Sequence, residues 1–482
     1  MILDVLTSLL YFLGLGCLIQ AGLDRLGAQD HHAQPWRPIA TGPTALARDL
    51  SIRIALGILT YGAAMTTGLP LRAGFLVGAV GAGLGLFLAA RRFHRQPPVG
   101  LGLLAALAWI GLALLLVALV SPVLPMDVLW ANDARSVWFF HGKIIYFANG
   151  IHRSSGWNNE AILFSHPYYQ KLVPILAATE MLKFGYWNEY LPKLALVTPL
   201  TCYVLALFAG PRGRASMSTV ATTVIALLGS GTLIHVGYVD AYTALPAAGA
   251  LWAVMRWLSS GNPRDAEHAL VLAGLALSTK DEGRLFAAGL AVGVLPFLAV
   301  RRLRWAAWSF LRTRTTWALL VLALAPALLW SIRVNEFGLH HYLQLNLATQ
   351  FRALHRLRTG ALPTIVRALI DPSSRWFDSS TSVLSRLLIV AGVVKLLAMV
   401  LSRRLRLVTF VCASAGVAYF SAICVVYLMT PADLRWQLST SADRVMLIVF
   451  MCALGLLADG LEDLEGFTLG PRRKAVVGPR PR

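Results

Sequence analysis

About thirteen stretches of this chain are apolar over the length of a membrane-crossing helix or close to it, and this feature fixes the kind of fold available. They lie at roughly 2–22, 52–68, 72–90, 101–121, 190–209, 217–235, 241–258, 267–280, 284–300, 316–333, 383–401, 406–429 and 445–460. A helix needs about 20 apolar residues to cross the hydrocarbon core of a bilayer. Of the 482 residues 57% are apolar and only 14% charged, and the mean hydropathy is +0.64. A single soluble core cannot hide that much apolar surface. The expected fold class is an all-α polytopic membrane protein. The first run carries Asp4 and lacks a basic leader or a small-residue cleavage site, so it reads as a retained helix.

A formal charge of +20 would point to nucleic acid in a soluble chain. Here it is spread over alternate short loops. Arg91, Arg92 and Arg95 are followed by Arg212 and Arg214, then Arg256 and Arg264, then Arg301, Arg302, Arg304, Arg312 and Arg314. Arg403, Arg404 and Arg406 come next, and the tail adds Arg472, Arg473, Lys474, Arg480 and Arg482. By the positive-inside rule these loops are cytoplasmic, and nucleic acid is not expected as a partner. Segments 122–189, 236–240, 281–283, 334–382 and 430–444 then face outward. This requires that 171–187, interrupted by Lys171, Glu180 and Lys183, lies as an interfacial amphipathic helix and does not span. The chain divides into helices over 1–121, a large outer loop over 122–189, helices over 190–333, a second outer loop over 334–382, helices over 383–460 and a basic tail over 461–482. The five cysteines all fall inside apolar runs, which argues against a disulfide framework or thiolate metal site.

The unusual residues gather on the outer side. Asp133 opens a stretch in which Val137, Phe140 and Ile144 share its helical face, with Trp130 and Trp138 as interfacial aromatics. A carboxylate there suits a general base toward a hydroxyl, and suits a helix N-cap equally well; Asp127, nearby, lacks such a setting. Asp240 sits in Gly237-Tyr-Val-Asp240 at a helix end, where functional and capping roles compete. Lys280 shares a tight turn with Asp281, Glu282 and Arg284, so it either snorkels or holds a phosphate as a point charge. Arg444 falls where the last helix is expected to start, a position at which a cation opposes the helix dipole and calls for an anionic partner. Arg352, Arg356, Arg358, Arg367 and Arg375 put positive charge in the second outer loop, which suits either an anionic ligand or a headgroup-facing helix.

Taken in order, the Asp133 segment, His166-Pro-Tyr-Tyr169, Gly237-Tyr-Val-Asp240, Thr279-Lys-Asp-Glu-Gly283 and Leu434-Arg-Trp436-Gln-Leu-Ser-Thr-Ser-Ala-Asp-Arg444 resemble the polytopic GT-C glycosyltransferases of bacteria. Relatives in that group include protein O-mannosyltransferases and the transferase that places aminoarabinose on lipid A. The resemblance runs in short motifs from about residue 120 onward. It implies a polyprenyl-phosphate sugar as donor, a glycan, lipid or protein hydroxyl as acceptor, and membrane lipids as surroundings. The expected location is the bacterial inner membrane, with the site facing the periplasm. Asp133 matches the catalytic base. Lys280 and Arg444, with Lys143 and the second-loop arginines as lesser candidates, match the donor-phosphate cations. Asp240, Glu282, His166, Tyr169, Trp138 and Trp436 fall to acceptor or sugar binding. No cofactor is required, although a divalent metal bridging Asp133 and Asp240 would accord with some relatives. Gln170, Asp281 and Gln437 depart from the residues expected at their positions, which leaves subfamily and acceptor open. The competing reading from another class is a transporter or lipid flippase.

Overall fold

The computed structural model describes residues 2–28, 43–93, 99–120, 132–213, 216–299, 301–341, 346–370, 386, 389–398 and 407–468. Asp127, Trp130, Arg95, Arg214, Arg375, Arg403, Arg404, Arg406 and the basic tail lie outside them. Among the described residues there is no strand. The helices, in chain order, are α1 (Ile2–Ala28), α2 (Pro43–Thr66), α3 (Leu71–Phe93), α4 (Val99–Val120), α5 (Phe139–Phe147), α6 (Leu172–Phe184), α7 (Val197–Phe208), α8 (Met217–Val236) and α9 (Asp240–Ser260). They continue with α10 (Pro263–Thr279), α11 (Asp281–Val294), α12 (Arg301–Leu311), α13 (Arg314–Glu336), α14 (Leu347–Arg358) and α15 (Ala361–Ile370). Then follow α16 (Ile389–Ala398), α17 (Leu407–Met429) and α18 (Leu434–Thr468).

Six of the thirteen expected spans are long and apolar enough to cross a membrane: Ile2–Gly27, Leu71–Arg91, Leu191–Phe208, Arg314–Glu336, Val408–Met429 and Leu434–Glu465. Exposed leucines, valines and phenylalanines along α3, α4, α13 and α17 give these helices the apolar exterior of a membrane-embedded protein. Small residues bring the N-terminal helices together. A Cβ at Gly57 would strike the Phe12 carbonyl and one at Gly16 the Arg53 carbonyl, so α1 and α2 touch backbone to backbone.

The centre of the bundle is α9, buried from Asp240 to Trp257 and packed against α7, α10 and α18. Its 21 residues rise about 30 Å, so its ends lie at two poles of the molecule. Asp240 stands at one pole and Arg256 at the other.

Two expectations about the outer segments are overturned. The 13-residue α6 is too short to span, but it is not an interfacial amphipathic helix: Leu172 through Met181 are all buried. Its Glu180 is satisfied internally, pairing with Lys183 at 2.5 Å and accepting from Ser8 Oγ at 2.6 Å. The expected loop 430–444 is mostly helix, since α18 begins at Leu434. Arg444 therefore lies well inside α18 and not at its start, and helix-dipole repulsion is not what it answers. The five cysteines are free and buried.

Candidate active site at the Asp133 pole

Four separate segments bring charge to this pole. Asp133 precedes a π-helical turn over Ala134–Trp138 and makes no side-chain capping bond, which removes the N-cap alternative. Its Oδ2 instead accepts from Arg444 Nη1 of α18. The same guanidinium nitrogen lies 3.9 Å from Asp240 Oδ2, and the Arg444 head sits over the Tyr238 ring at 4.7 Å. Asp240 Oδ1 accepts from Lys280 Nζ at 2.7 Å, and Lys280 also pairs with Glu282 Oε1 at 2.9 Å.

Lys280 is a single extended residue, φ −157° and ψ 161°, between the end of α10 and the start of α11. Gly283 allows that abrupt return, because a Cβ there would collide with the Ala276 carbonyl of α10. The row Asp133–Arg444–Asp240–Lys280–Glu282 alternates in sign and descends into the protein. The Asp133 side chain is 37% exposed, Arg444 13% and Asp240 4%. Asp133 is thus the member at the mouth and Asp240 the floor. Asp240 Oδ2 is buried and accepts no hydrogen bond.

An aromatic shelf adjoins this row. Tyr169 stacks on Trp138 at 5.4 Å on one side and on His166 at 5.1 Å on the other. Burial, reinforced by the carboxylates of Glu282, Asp281 and Asp133, pushes the Tyr169 phenol up and keeps it a neutral donor. His166 holds a left-handed backbone, φ 53°, and its Nδ1 bonds the Tyr168 hydroxyl at 3.1 Å. Burial lowers its pKa, against the opposing pull of Asp133.

The loop is fixed from beneath. Lys171 Nζ donates to the Pro167 and Tyr169 carbonyls, both at 2.7 Å, while Trp330 Nε1 donates to the Tyr168 carbonyl at 2.8 Å. Lys171 also lies 3.3 Å from His141 Nδ1 and over the rings of Trp157 and Trp330. Burial depresses both Lys171 and His141 well below their ordinary values.

Sequence reasoning passed over three participants here. Tyr238 lies within a quoted motif but was given no part. Lys171 reads from sequence as an interruption of an apolar run. His341 Nε2 bonds Asp281 Oδ2 at 2.9 Å beside the shelf, its ring 4.5 Å from that of Tyr168; the His340-His341 doublet in a polar loop was its only signal.

Other expected members are not gathered here. Lys143 pairs with Glu189 at 2.9 Å. Trp436 projects from the first turn of α18 and is 61% exposed. Trp138 is buried, one face covered by Tyr169, so it supports the shelf and cannot itself stack on a sugar. Arg352 and Arg356 have a different function from phosphate binding: they donate to the Met429, Tyr427, Thr430 and Ala432 carbonyls and so satisfy the end of α17. Between Asp133 and Asp240, where a bridging metal was expected if any, stands the Arg444 guanidinium. Among the described residues no group of three or more His, Cys, Asp or Glu is arranged to hold a metal ion.

No protein-family model, curated protein or solved structure matches this chain.

Proposed function

We propose that the chain is an inverting glycosyltransferase of GT-C type, with its remaining apolar helices also spanning. On this reading it moves a sugar from a polyprenyl-phosphate donor to an acceptor hydroxyl on the periplasmic side of a bacterial inner membrane. The observation that supports it is the meeting of Asp133, Asp240, Lys280 and Arg444, from four distant segments, in one row beside an aromatic shelf. A donor of this kind keeps its tail in lipid and its charged head at the surface, where such a row lies within reach.

In the reaction the acceptor oxygen attacks the anomeric carbon as the bond from that carbon to the phosphate oxygen breaks. The polyprenyl phosphate leaves with the electron pair, and the hydroxyl proton passes to Asp133. Lys280 and Arg444 stabilise the departing phosphate electrostatically. Three carboxylates already face these two cations in the row. A phosphate therefore has to compete with Asp133 for Arg444, and success in that competition frees the base. Donor binding then precedes proton abstraction, and the carboxylate is uncovered only when there is a sugar to transfer.

The test uses purified protein with a radiolabelled lipid-linked sugar. Asp133→Asn is expected to retain donor binding and to lower transfer by roughly 10²–10⁴-fold, the usual contribution of a general base. Undiminished turnover in that variant removes the proposed base. Movement of intact glycolipid across proteoliposomes without release of polyprenyl phosphate would favour the flippase reading.

A further inference from the structure

A second polar cavity, of about 440 Å³, opens at the opposite pole of the bundle. Three arginines from distant parts of the chain line it: Arg48 of α2, Arg212 after α7 and Arg256 near the end of α9. Thr44 and Ser259 add hydroxyls, and Asp265 is its one carboxylate.

That carboxylate is already committed. Asp265 Oδ1 accepts from Arg48 Nη1 at 3.1 Å and from Arg256 Nε at 3.0 Å, and Oδ2 accepts from Ser260 at 3.2 Å. Arg256 spends its other nitrogens on the Gly210 carbonyl and on His268 Nδ1, so it supplies charge to the cavity and few free donors. Arg212 is neutralised from behind by Asp459 and Asp463. Arg48 differs. It is buried, and its Nε makes no hydrogen bond, the nearest carboxylate oxygen being that of Asp49 at 3.6 Å. A buried guanidinium donor with no acceptor carries a desolvation cost that an incoming anion would remove.

We propose that this cavity binds a phosphate-bearing anion, with the orphaned Arg48 donor and the Arg212 head as its ligands. Guanidinium forks match phosphate oxygens in geometry as well as charge, and the volume admits a phosphate with its bridging waters. The inference is independent of sugar transfer at the other pole.

Thermal unfolding of the purified protein in neutral detergent tests it, with inorganic phosphate and dioleoyl phosphatidic acid as probes and dioleoyl phosphatidylcholine as control. At least one anionic probe is expected to raise the unfolding temperature in a saturable way, while the zwitterionic lipid does not. Arg48→Gln, which removes the donor, and Ser259→Asp, which adds a carboxylate at an exposed lining position, should each weaken that response at least tenfold in probe concentration. A response to phosphatidic acid alone identifies a lipid headgroup site; an equal response to inorganic phosphate identifies a soluble ligand. The proposal is overturned if neither anion stabilises the protein, or if both variants respond as the unaltered chain does.

Discussion

At the scale of single residues, Asp133 and Asp240 separate stability from chemistry. Both face Arg444, but Asp240 is nearly inaccessible and also neutralises Lys280, whereas Asp133 lies at the mouth. Removing one partner of a buried ion pair leaves an uncompensated charge and costs about 3–5 kcal/mol, whereas a half-exposed pair contributes about 1 kcal/mol or less. Asp240→Asn is therefore expected to lower the chemical-denaturation midpoint clearly, and Asp133→Asn to leave it within error while abolishing transfer. Equal destabilisation by the two would mean that they play the same structural part. The Arg444 fork also distinguishes itself from a point charge: it alone spans both carboxylates while stacking on Tyr238.

At the scale of elements, the site depends on two small devices. The first is the α10–α11 return at Lys280, which closes only because position 283 has no side chain. Gly283→Ala should cost about 1–3 kcal/mol through overpacking and should also depress transfer, since it pushes Lys280 away from Asp240 without altering any charge. Denaturation and single-turnover transfer measured on the same sample check both halves. The second is the clamp of Lys171 and His141 under the His166–Gln170 loop. The folded protein holds His141 far below its ordinary value of 6.5. The unfolded chain then takes up the proton more readily as pH falls, so stability present above about 6.5 is lost below it. The unfolding temperature is expected to drop between pH 7 and pH 5, with a shallower slope in His141→Asn. An unchanged slope would show that other groups carry the dependence.

Much of this arrangement was legible in the order of motifs. The sequence placed Asp133, Asp240, Lys280 and Arg444 on one side of the bundle because each closes or opens an apolar run, and periodicity marks such ends well. It misjudged α6, since three charged residues in thirteen look like a polar face when their buried partners, such as Ser8, lie far away in sequence. It also started α18 too late, because the polar run Ser439–Arg444 reads as a loop although every residue of it continues a helix. Arg352 and Arg356 reveal nothing in sequence of the carbonyls they satisfy on a distant helix end.

At the scale of the whole molecule, α9 separates two charged poles by about the thickness of a bilayer core, near 30 Å. Cysteines introduced at Glu160, exposed at the Asp133 pole, and at Ser259, exposed at the other, should react with a membrane-impermeant maleimide from opposite sides of sealed vesicles. The native cysteines are buried and supply a quiet background. Labelling of both from one side would contradict a membrane-crossing α9 and, with it, the separation of the two cavities.

The 35-residue α18 runs about 52 Å and bears Arg444 toward one end and Asp459 toward the other. Asp459 is gripped by Arg212 and by Lys395. A helix is stiff along its axis, so sliding or rolling that releases Arg444 from Asp133 must drag Asp459 through its own pair of cations. The far anchorage thus acts as a brake on the near release, and loosening that grip should show itself as faster uncovering of a carboxylate more than 20 Å away along the rod.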